Sequence, residues 1–368
     1  MIFIFRGWLN RPWAIHYNLG FGISLYARFK FAEVKELAER FIMAKVLVTG
    51  AGGFIGSHLV EELVKQGEEV RAFVRYNSRD ERGLLEDLPK EIQNQIEVVP
   101  GDLKDPDGIK KAIKKCTRIY HLGALIAIPY SYVHPFNFVQ TNIIGTAHLL
   151  NACLENSGVE KIIHTSTSEV YGTAQYIPID EKHPLQAQSP YAASKIAADK
   201  LAESYNLSFG LPIATIRPFN TFGPRQSLRA IIPTIVSQAI HDKKIRLGNT
   251  KPRRDFLFVK DTVRGFIQVG KCEEAVGMVV NIGTGTDISV EELVRKILYQ
   301  MGKKEEIEVE NQRIRPEKSE VMQLLCDTRL AQKLFQWTPR YSLEDGLRET
   351  IEWYEKNLSR FKVGSYPL

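Results

Sequence analysis

Residues 45–63, KVLVTGAGGFIGSHLVEEL, constrain this chain more than any other stretch. Lys45–Thr49 is a short apolar, β-branched run of the kind that forms a buried strand. From His58 onward, apolar positions recur at helical spacing. Between the two, Gly50, Gly53 and Gly56 fall at G-x-x-G-x-x-G spacing, with Phe54 and Ile55 between the last pair. In a strand–loop–helix setting the first glycine permits the tight turn. The second lets backbone approach a pyrophosphate, and the third lets helix pack on strand. The helix N-terminus then faces the anion. We read the segment as a dinucleotide-binding loop rather than a plain turn.

From Met43 the pattern alternates. Short β-rich runs at Val46–Val48, Val70–Val74, Ile96–Val99, Ile119–His121, Ile162–His164 and Ile213–Ile216 are separated by helical stretches. These include His58–Gln66, Gly108–Lys115, Thr141–Glu155 and Tyr191–Tyr205. The alternation predicts an α/β fold, a Rossmann-type doubly wound parallel sheet with helices on both faces. The length, 368 residues, exceeds what one core usually holds. Polar punctuation thickens after Pro218, and helical runs return at Val290–Met301, Asp327–Phe335 and Leu343–Asn357. The expected organisation is an N-terminal extension over residues 1–42, a nucleotide-binding domain over 43–217, and a smaller C-terminal α/β substrate lobe over 218–368, partly interleaved with the first domain.

If the cofactor is NAD, the second strand should end near an acid that binds the ribose 2′-hydroxyl. Arg75 stands there instead, with Arg79 beyond it. An arginine can face a 2′-phosphate, which favours NADP over NAD; both arginines also suit a solvated loop. Asp102 and Leu103, in "GDLKD", are placed to meet the adenine. Leu122 and Ala124, in "HLGA", close the fourth strand where small residues let a cofactor lie against backbone.

Composition narrows the partners. The chain is 44% hydrophobic and 25% charged, ordinary for a soluble protein. Half of the +6 net charge sits in residues 1–42, so the body carries a small basic excess. That suits an anionic small molecule better than a nucleic acid. Cys116, Cys153, Cys272 and Cys326 are far apart, and the histidines show no metal spacing. A disulfide frame and a metal site are not expected, and a reducing cytoplasm fits. His121 and His164 end apolar runs and are expected to pack or to support other groups. Residues 1–42 are aromatic-rich but hold no run of the roughly 18 apolar residues that a membrane span needs. Nor do they carry a clean signal-peptide pattern. They are read as a mis-assigned start upstream of Met43, or else as a peripheral membrane or oligomer contact.

A second stretch carries the chemistry. "HTSTSEVYG", residues 164–172, closes a buried strand, and packing gives no reason for Glu169 there. Thr167 and Ser168 also suit strand-end capping, and Glu169 a surface ion pair. Downstream, "SPYAASKIAADKLAE" sets Tyr191 and Lys195 on one helical face at i,i+4. A nearby ammonium would lower the tyrosine pKa and make Tyr191 a base for a sugar hydroxyl while hydride leaves for a nicotinamide.

With "TGAGGFIGSH", "HLGA", "TNIIGT", "STSEVYG", "YAASK", "RPFNTFGPRQ", "RRDFLFVKD", "NIGTG" and "RIRPEKSEV", the chain from Met43 to about Leu358 resembles an extended short-chain dehydrogenase/reductase of the nucleotide-sugar branch. The resemblance implies tightly bound NAD or NADP, a nucleotide-sugar substrate, and a homodimer formed through a bundle that includes the Y-x-x-x-K helix. Glucose-type 4,6-dehydratases carry Asp-Glu after the threonine; Ser168-Glu169 is instead similar to GDP-mannose 4,6-dehydratases. The run "LIAIPYSY" with "HTSTSEVYGTAQYIPIDEKHPLQAQSPY" looks closest to NDP-N-acetylglucosamine 4,6-dehydratases of legionaminic-acid-type pathways. UDP-glucuronate decarboxylases share Thr-Ser-Glu, but with an arginine shortly before the tyrosine, where this chain has Ser189 and Pro190. The same resemblance leaves room for a 4-epimerase, and the fold alone for a catalytically silent nucleotide-binding protein.

A 4,6-dehydratase oxidises C4, eliminates water across C5 and C6, and returns the hydride to C6. The resemblance then makes Glu169 the base for the C5 proton. The acid for the departing hydroxyl is the protonated Glu169 or a water held by Ser168. Thr167 would hydrogen-bond the 4-oxygen beside Tyr191. Asn220, Arg254 and Arg315 match positions that contact the nucleotide diphosphate, and Arg225 and Arg313 could share that role.

Overall fold

The computed structural model describes residues 45–242 and 244–361, so the reading of residues 1–42 lies outside the described part. Seven strands form one all-parallel sheet: β1 (Lys45–Thr49), β2 (Glu69–Arg75), β3 (Ile96–Gly101), β4 (Cys116–His121), β5 (Lys161–Thr165), β6 (Ile213–Pro218) and β7 (Val279–Ile282). Their order is β7-β6-β5-β4-β1-β2-β3. This is the doubly wound topology, with the winding reversed between β1 and β4. The principal helices are α1 (Phe54–Lys65), α2 (Pro106–Ile113), α3 (Gly145–Glu155), α4 (Pro190–Phe209), α5 (Ile231–His241), α6 (Val259–Lys271), α7 (Val290–Gln300) and α8 (Leu343–Asn357).

The two-residue period of a strand decides which core each side chain joins. Val46 and Val48 share one core with Tyr120 and Ile163, while Leu47 joins Ile119 and Ile162 in the other. Because helices cover both faces, a central strand such as β1 is buried along nearly its whole length rather than at alternate positions. Helices α2, α3 and α4 cover the Leu47 face; α1 and α6 cover the Val46 face, and α5, α7 and α8 extend that core outward.

Local signals account for the ends of α4. Ser189 Oγ accepts from the Ala192 N–H at 3.1 Å, Pro190 fits the first turn, and Gly210, at φ +68°, ends the helix. Residues beyond 217 contribute to two layers. Strand β7 and helix α6 join the main sheet, while short strands build an outer layer in which Arg253–Arg254 lies between Ile288–Ser289 and Gln323–Leu324.

Candidate active site

Ligands of doubly wound sheets bind outside the C-terminal strand ends at the switch point. Gly50 leaves β1 at φ +68°, and a Cβ on it would lie 2.8 Å from Gly123 N. A Cβ on Gly56 would lie 2.2 Å from Gly50 O, and one on Gly53 3.1 Å from the same oxygen. Helix α1 begins with no side-chain cap and no acidic residue in its first turn. Its leading N–H groups are therefore open to an anion. Phe54 and Ile55, the first residues of α1, are half-buried.

The edge of this surface is less uniform. Arg75 is exposed at the end of β2 and has no ion-pair partner among the described residues, whereas Arg79 lies 3.6 Å from Glu81. Asp102 follows β3 half-exposed and accepts from the Lys104 N–H at 2.9 Å. Leu103 is buried, and its side chain fills the space that a Cβ on Gly123 or Gly145 would need. It backs the loop rather than facing outward. Leu122 and Ala124 are half-buried after β4.

After β5 the chain makes a single 3₁₀ turn, Ser168–Tyr171. Thr167 Oγ1 accepts from the Glu169 N–H at 3.2 Å, and Gly172, at φ +63°, closes the turn. Ser168 is buried and Glu169 half-buried. Tyr191 is buried on α4 against Ile128 and Phe138, the latter ring edge-on at 6.2 Å. Burial raises the Tyr191 pKa; a hydrogen bond with Thr167 lowers it, and the charges of Glu169 and Asp199 raise it further. Lys195 is also buried and donates to the Thr165 carbonyl at 2.5 Å. Burial pulls its pKa down to about 8, against the pull of Asp199. The depression of the Tyr191 pKa expected from the i,i+4 spacing is thus absent. The Lys195 ammonium donates to a backbone carbonyl, and burial against apolar neighbours outweighs the Thr167 hydrogen bond.

Arg254 approaches from the outer layer. It is buried, which lowers its pKa, and it lies in the fields of Glu169, Arg315 and Glu320. Glu320 Oε1 is 3.8 Å from Arg254 and 4.0 Å from Arg315. Asn220 Oδ1 and Arg315 Nη1 are buried without hydrogen-bond partners among the described residues. Buried polar atoms in that state are costly unless a ligand or water meets them. Arg225 turns away: it pairs with Glu61 and donates to Ser57 Oγ at 3.3 Å, both on α1. Arg313 pairs with Glu310.

Known proteins resemble this chain in sequence and fold. A family described as GDP-mannose 4,6 dehydratase matches residues 47–350. The chain belongs to this family. It is 32% identical over 335 residues to the mouse (Mus musculus) dTDP-D-glucose 4,6-dehydratase, covering 86% of this chain and 90% of that one. Among solved structures it is similar to the dTDP-glucose 4,6-dehydratase DesIV of Streptomyces venezuelae with NAD bound, at TM-score 0.79 and 27% identity over 86% of this chain and 99% of that one. A UDP-N-acetylglucosamine 4-epimerase from Methanobrevibacter ruminantium M1 also matches, at TM-score 0.76 and 29% identity over 85% of this chain and 99% of that one.

Beneath the surface site, this member of the GDP-mannose 4,6 dehydratase family holds a buried polar network. Gly123 N–H donates to Thr49 Oγ1 at 3.0 Å, leaving the Thr49 hydroxyl to meet His121 Nδ1 at 2.8 Å. His121 Nε2 meets Thr146 Oγ1 at 3.1 Å, and Thr146 donates to the Asn142 carbonyl at 2.6 Å. The chain of donors places the His121 proton on Nε2. Burial, with His164 and Lys195 nearby, holds His121 well below its ordinary pKa, so it is neutral. Asp199 takes His164 Nε2 at 3.1 Å, Ser166 Oγ at 2.6 Å and Arg217 Nη2 at 2.8 Å. Burial alone would raise the Asp199 pKa, but His164, Arg217 and Lys195 hold it well below the carboxylate range.

The structure therefore brings Thr167, Glu169, Tyr191, Lys195, Arg254 and Arg315 to one place and leaves Arg75 and Asp102 at the ends of β2 and β3. Asp199, Ser166, Arg217 and Glu320 are functional neighbours that motif reading misses. Asp199 had a signal: Tyr191, Lys195 and Asp199 recur every four residues and so share one face of α4.

Proposed function

We propose that the protein is a nucleotide-sugar 4,6-dehydratase that converts an NDP-N-acetylglucosamine to its 4-keto-6-deoxy product. One observation carries the reading: Thr167, which hydrogen-bonds with Tyr191, also caps the turn that bears Glu169, and the Glu169 charge acts on both Tyr191 and Arg254. A sugar whose diphosphate is held by Arg254, Arg315 and Asn220 would present its ring between a hydroxyl-deprotonating tyrosine and a carboxylate. Paired donors on arginine suit phosphate oxygens.

An NAD-type cofactor fits the loop after β1, since Gly50 and Gly56 leave no room for side chains, Gly53 leaves little, and the start of α1 is bare. When bound, such a cofactor would supply the hydride acceptor for C4 and the hydride donor for C6. Arg75, exposed and without an ion-pair partner among the described residues, supports NADP as the form used. Tyr191, assisted by Thr167, takes the proton of the 4-hydroxyl. The Lys195 ammonium supports the phenolate form of Tyr191 that accepts this proton, and it does so while it stays protonated, below a pH of about 8. Glu169 takes the C5 proton, which the 4-ketone acidifies, and passes it directly or through water at Ser168 to the leaving 6-hydroxyl; as C6 receives the hydride, C5 takes a proton from solvent, balanced by the one that Tyr191 gives up. A homodimer through α3 and α4 is supported by Ile144, Leu154, Leu207 and Phe209, exposed apolar residues on or beside those helices. A cytoplasmic enzyme is the accompanying reading; among the described residues no helix is long and apolar enough to cross a membrane.

The test is a panel of UDP-, GDP- and dTDP-sugars read by mass spectrometry. Loss of water from an N-acetylglucosamine nucleotide without added cofactor is expected. Loss of carbon dioxide from UDP-glucuronate, with no dehydration of any hexosamine, would overturn the proposal. A C4 epimer without mass change would favour the 4-epimerase reading, which the matching epimerase structure also suits. Glu169→Gln should lower product formation by about 10²–10⁴-fold. Nicotinamide absorbance should rise near-stoichiometrically with the enzyme, because C4 oxidation survives. Tyr191→Phe should give no such rise.

A further inference from the structure

Gln188 stands three residues before Tyr191 and uses both ends of its amide. The side-chain oxygen accepts from Thr173, at 2.5 Å from the N–H and 3.0 Å from Oγ1. The side-chain N–H donates to the Lys318 carbonyl at 2.8 Å. The Gln188 backbone carbonyl accepts from Ser319 Oγ at 2.5 Å. Ser319 Oγ gives its single hydrogen there, so the Tyr132 hydroxyl, 2.6 Å away, is the donor in their contact.

Each partner belongs to a different part of the site. Thr173 directly follows Gly172, which closes the Glu169 turn. Only glycine fits at 172: a Cβ there would lie 2.7 Å from Gln188 Oε1 and 2.5 Å from Gln186 O. Lys318 and Ser319 lie in the turn Glu317–Ser319, between Arg315 and Glu320. Tyr132 lies on the short helix Ile128–Val133, whose first residue packs on Tyr191. Neither turn of the segment that carries Arg315, Asn311–Arg313 and Glu317–Ser319, buries a residue, so polar links such as these carry much of its attachment.

We propose that Gln188 is a positioning residue that couples the Arg315 arm to the Glu169 turn, so that nucleotide binding and proton abstraction share one clamp. This rests on the dehydratase reading given above. The acceptor end of the amide steadies Glu169 through Thr173. The donor end, with Ser319, keeps the arm closed before substrate arrives. An arm closed for only a fraction of the time weakens apparent affinity by that fraction, while the bound complex reacts as before.

The links can therefore be separated by kinetics. Ser319→Ala removes only arm contacts. Gln188→Glu keeps the acceptor for Thr173 but turns an oxygen toward the Lys318 carbonyl. Both should raise KM for the nucleotide sugar that the panel identifies, and Kd for its nucleoside diphosphate, by about 3–10-fold, with kcat within about twofold of wild type. Gln188→Ala breaks both ends and should raise KM and lower kcat together. With Arg315→Ala already present, Ser319→Ala should cost less than about twofold, because the arm no longer carries a contact worth closing for. Melting temperature serves as the structural control. Unchanged KM in Ser319→Ala and Gln188→Glu, or an equal cost with and without Arg315, overturns the clamp while the activity stands. A wild-type protein that neither turns over nor binds any nucleotide sugar overturns the function and the clamp with it.

Discussion

At the end of β1 the groups that would meet an anion are the backbone N–H groups of the uncapped start of α1. Around Arg254 they are side chains carried in from three distant segments, at Asn220, Arg254 and Arg315. The first region allows no added Cβ at Gly50 or Gly56 but asks nothing of side-chain charge. The second depends on buried charges balanced by Glu320 and Glu169 and has no special backbone requirement at Arg254. A dinucleotide pyrophosphate and a nucleotide-sugar diphosphate are chemically alike. The difference suggests that the cofactor side is fixed by fold and the substrate side by composition.

The largest effect should come from Gly56→Ala, whose Cβ would meet Gly50 O at 2.2 Å. Backbone cannot step aside as a side-chain tip can, so the cost should reach or exceed the roughly 3 kcal/mol of ordinary overpacking. Purified protein should lose bound nicotinamide and melt earlier, and an unchanged nicotinamide content would break the contrast at once. Arg254→Ala should leave cofactor content intact but raise KM for the nucleotide sugar by about 10–100-fold, the range for bonds to a charged group. Calorimetry with the nucleoside diphosphate checks it.

Lys195 tests the ground between the two regions, since it is buried yet charged. Turnover should fall about tenfold per pH unit above a pH of about 8, as the ammonium is lost. Its contribution to stability runs the other way. The folded pKa lies below the ordinary 10.5, so between about pH 8 and 10.5 the unfolded chain holds a proton that the folded chain lacks. Stability from this group therefore rises with pH across that window and is lowest below it. Denaturant midpoints against pH, wild type beside Lys195→Met, would expose the sign. The smallest effect should come from Arg75→Glu at the exposed rim. It should shift preference from NADP toward NAD by about two- to fivefold, as befits a solvent-screened charge.

What could be read from the sequence divides along similar lines. Gly50, Gly53 and Gly56, like Tyr191 and Lys195, are local patterns whose geometry follows from a few residues. Glu169 is legible as an anomaly, a carboxylate where packing asks for none. The Asp199 network and the Gln188 clamp are not local; Gln188 and Ser319 are 131 residues apart. The C-terminal half is also harder to parse. Helices α7 and α8 announce themselves through Ser289 and Ser342, whose hydroxyls cap their N-termini. Helices α5 and α6 begin at Ala230 and Phe258 with no side-chain cap, so nothing in the sequence marks their start. Strand β7 lies amid polar punctuation, and only its pairing with β6 reveals it as the sheet's edge.

The 3₁₀ turn that bears Glu169 is closed at both ends by its own chain, through Thr167 Oγ1 in front and the left-handed Gly172 behind. The backbone of Ser168 and Glu169 is therefore held within one turn, while the Glu169 charge still reaches Tyr191. On the proposed mechanism, side chains on this turn would decide the fate of the keto sugar, while the oxidation step rests on Tyr191 and Lys195. Elimination and simple inversion at C4 would then be two outcomes of one scaffold, as the matching dehydratase and epimerase structures share this fold.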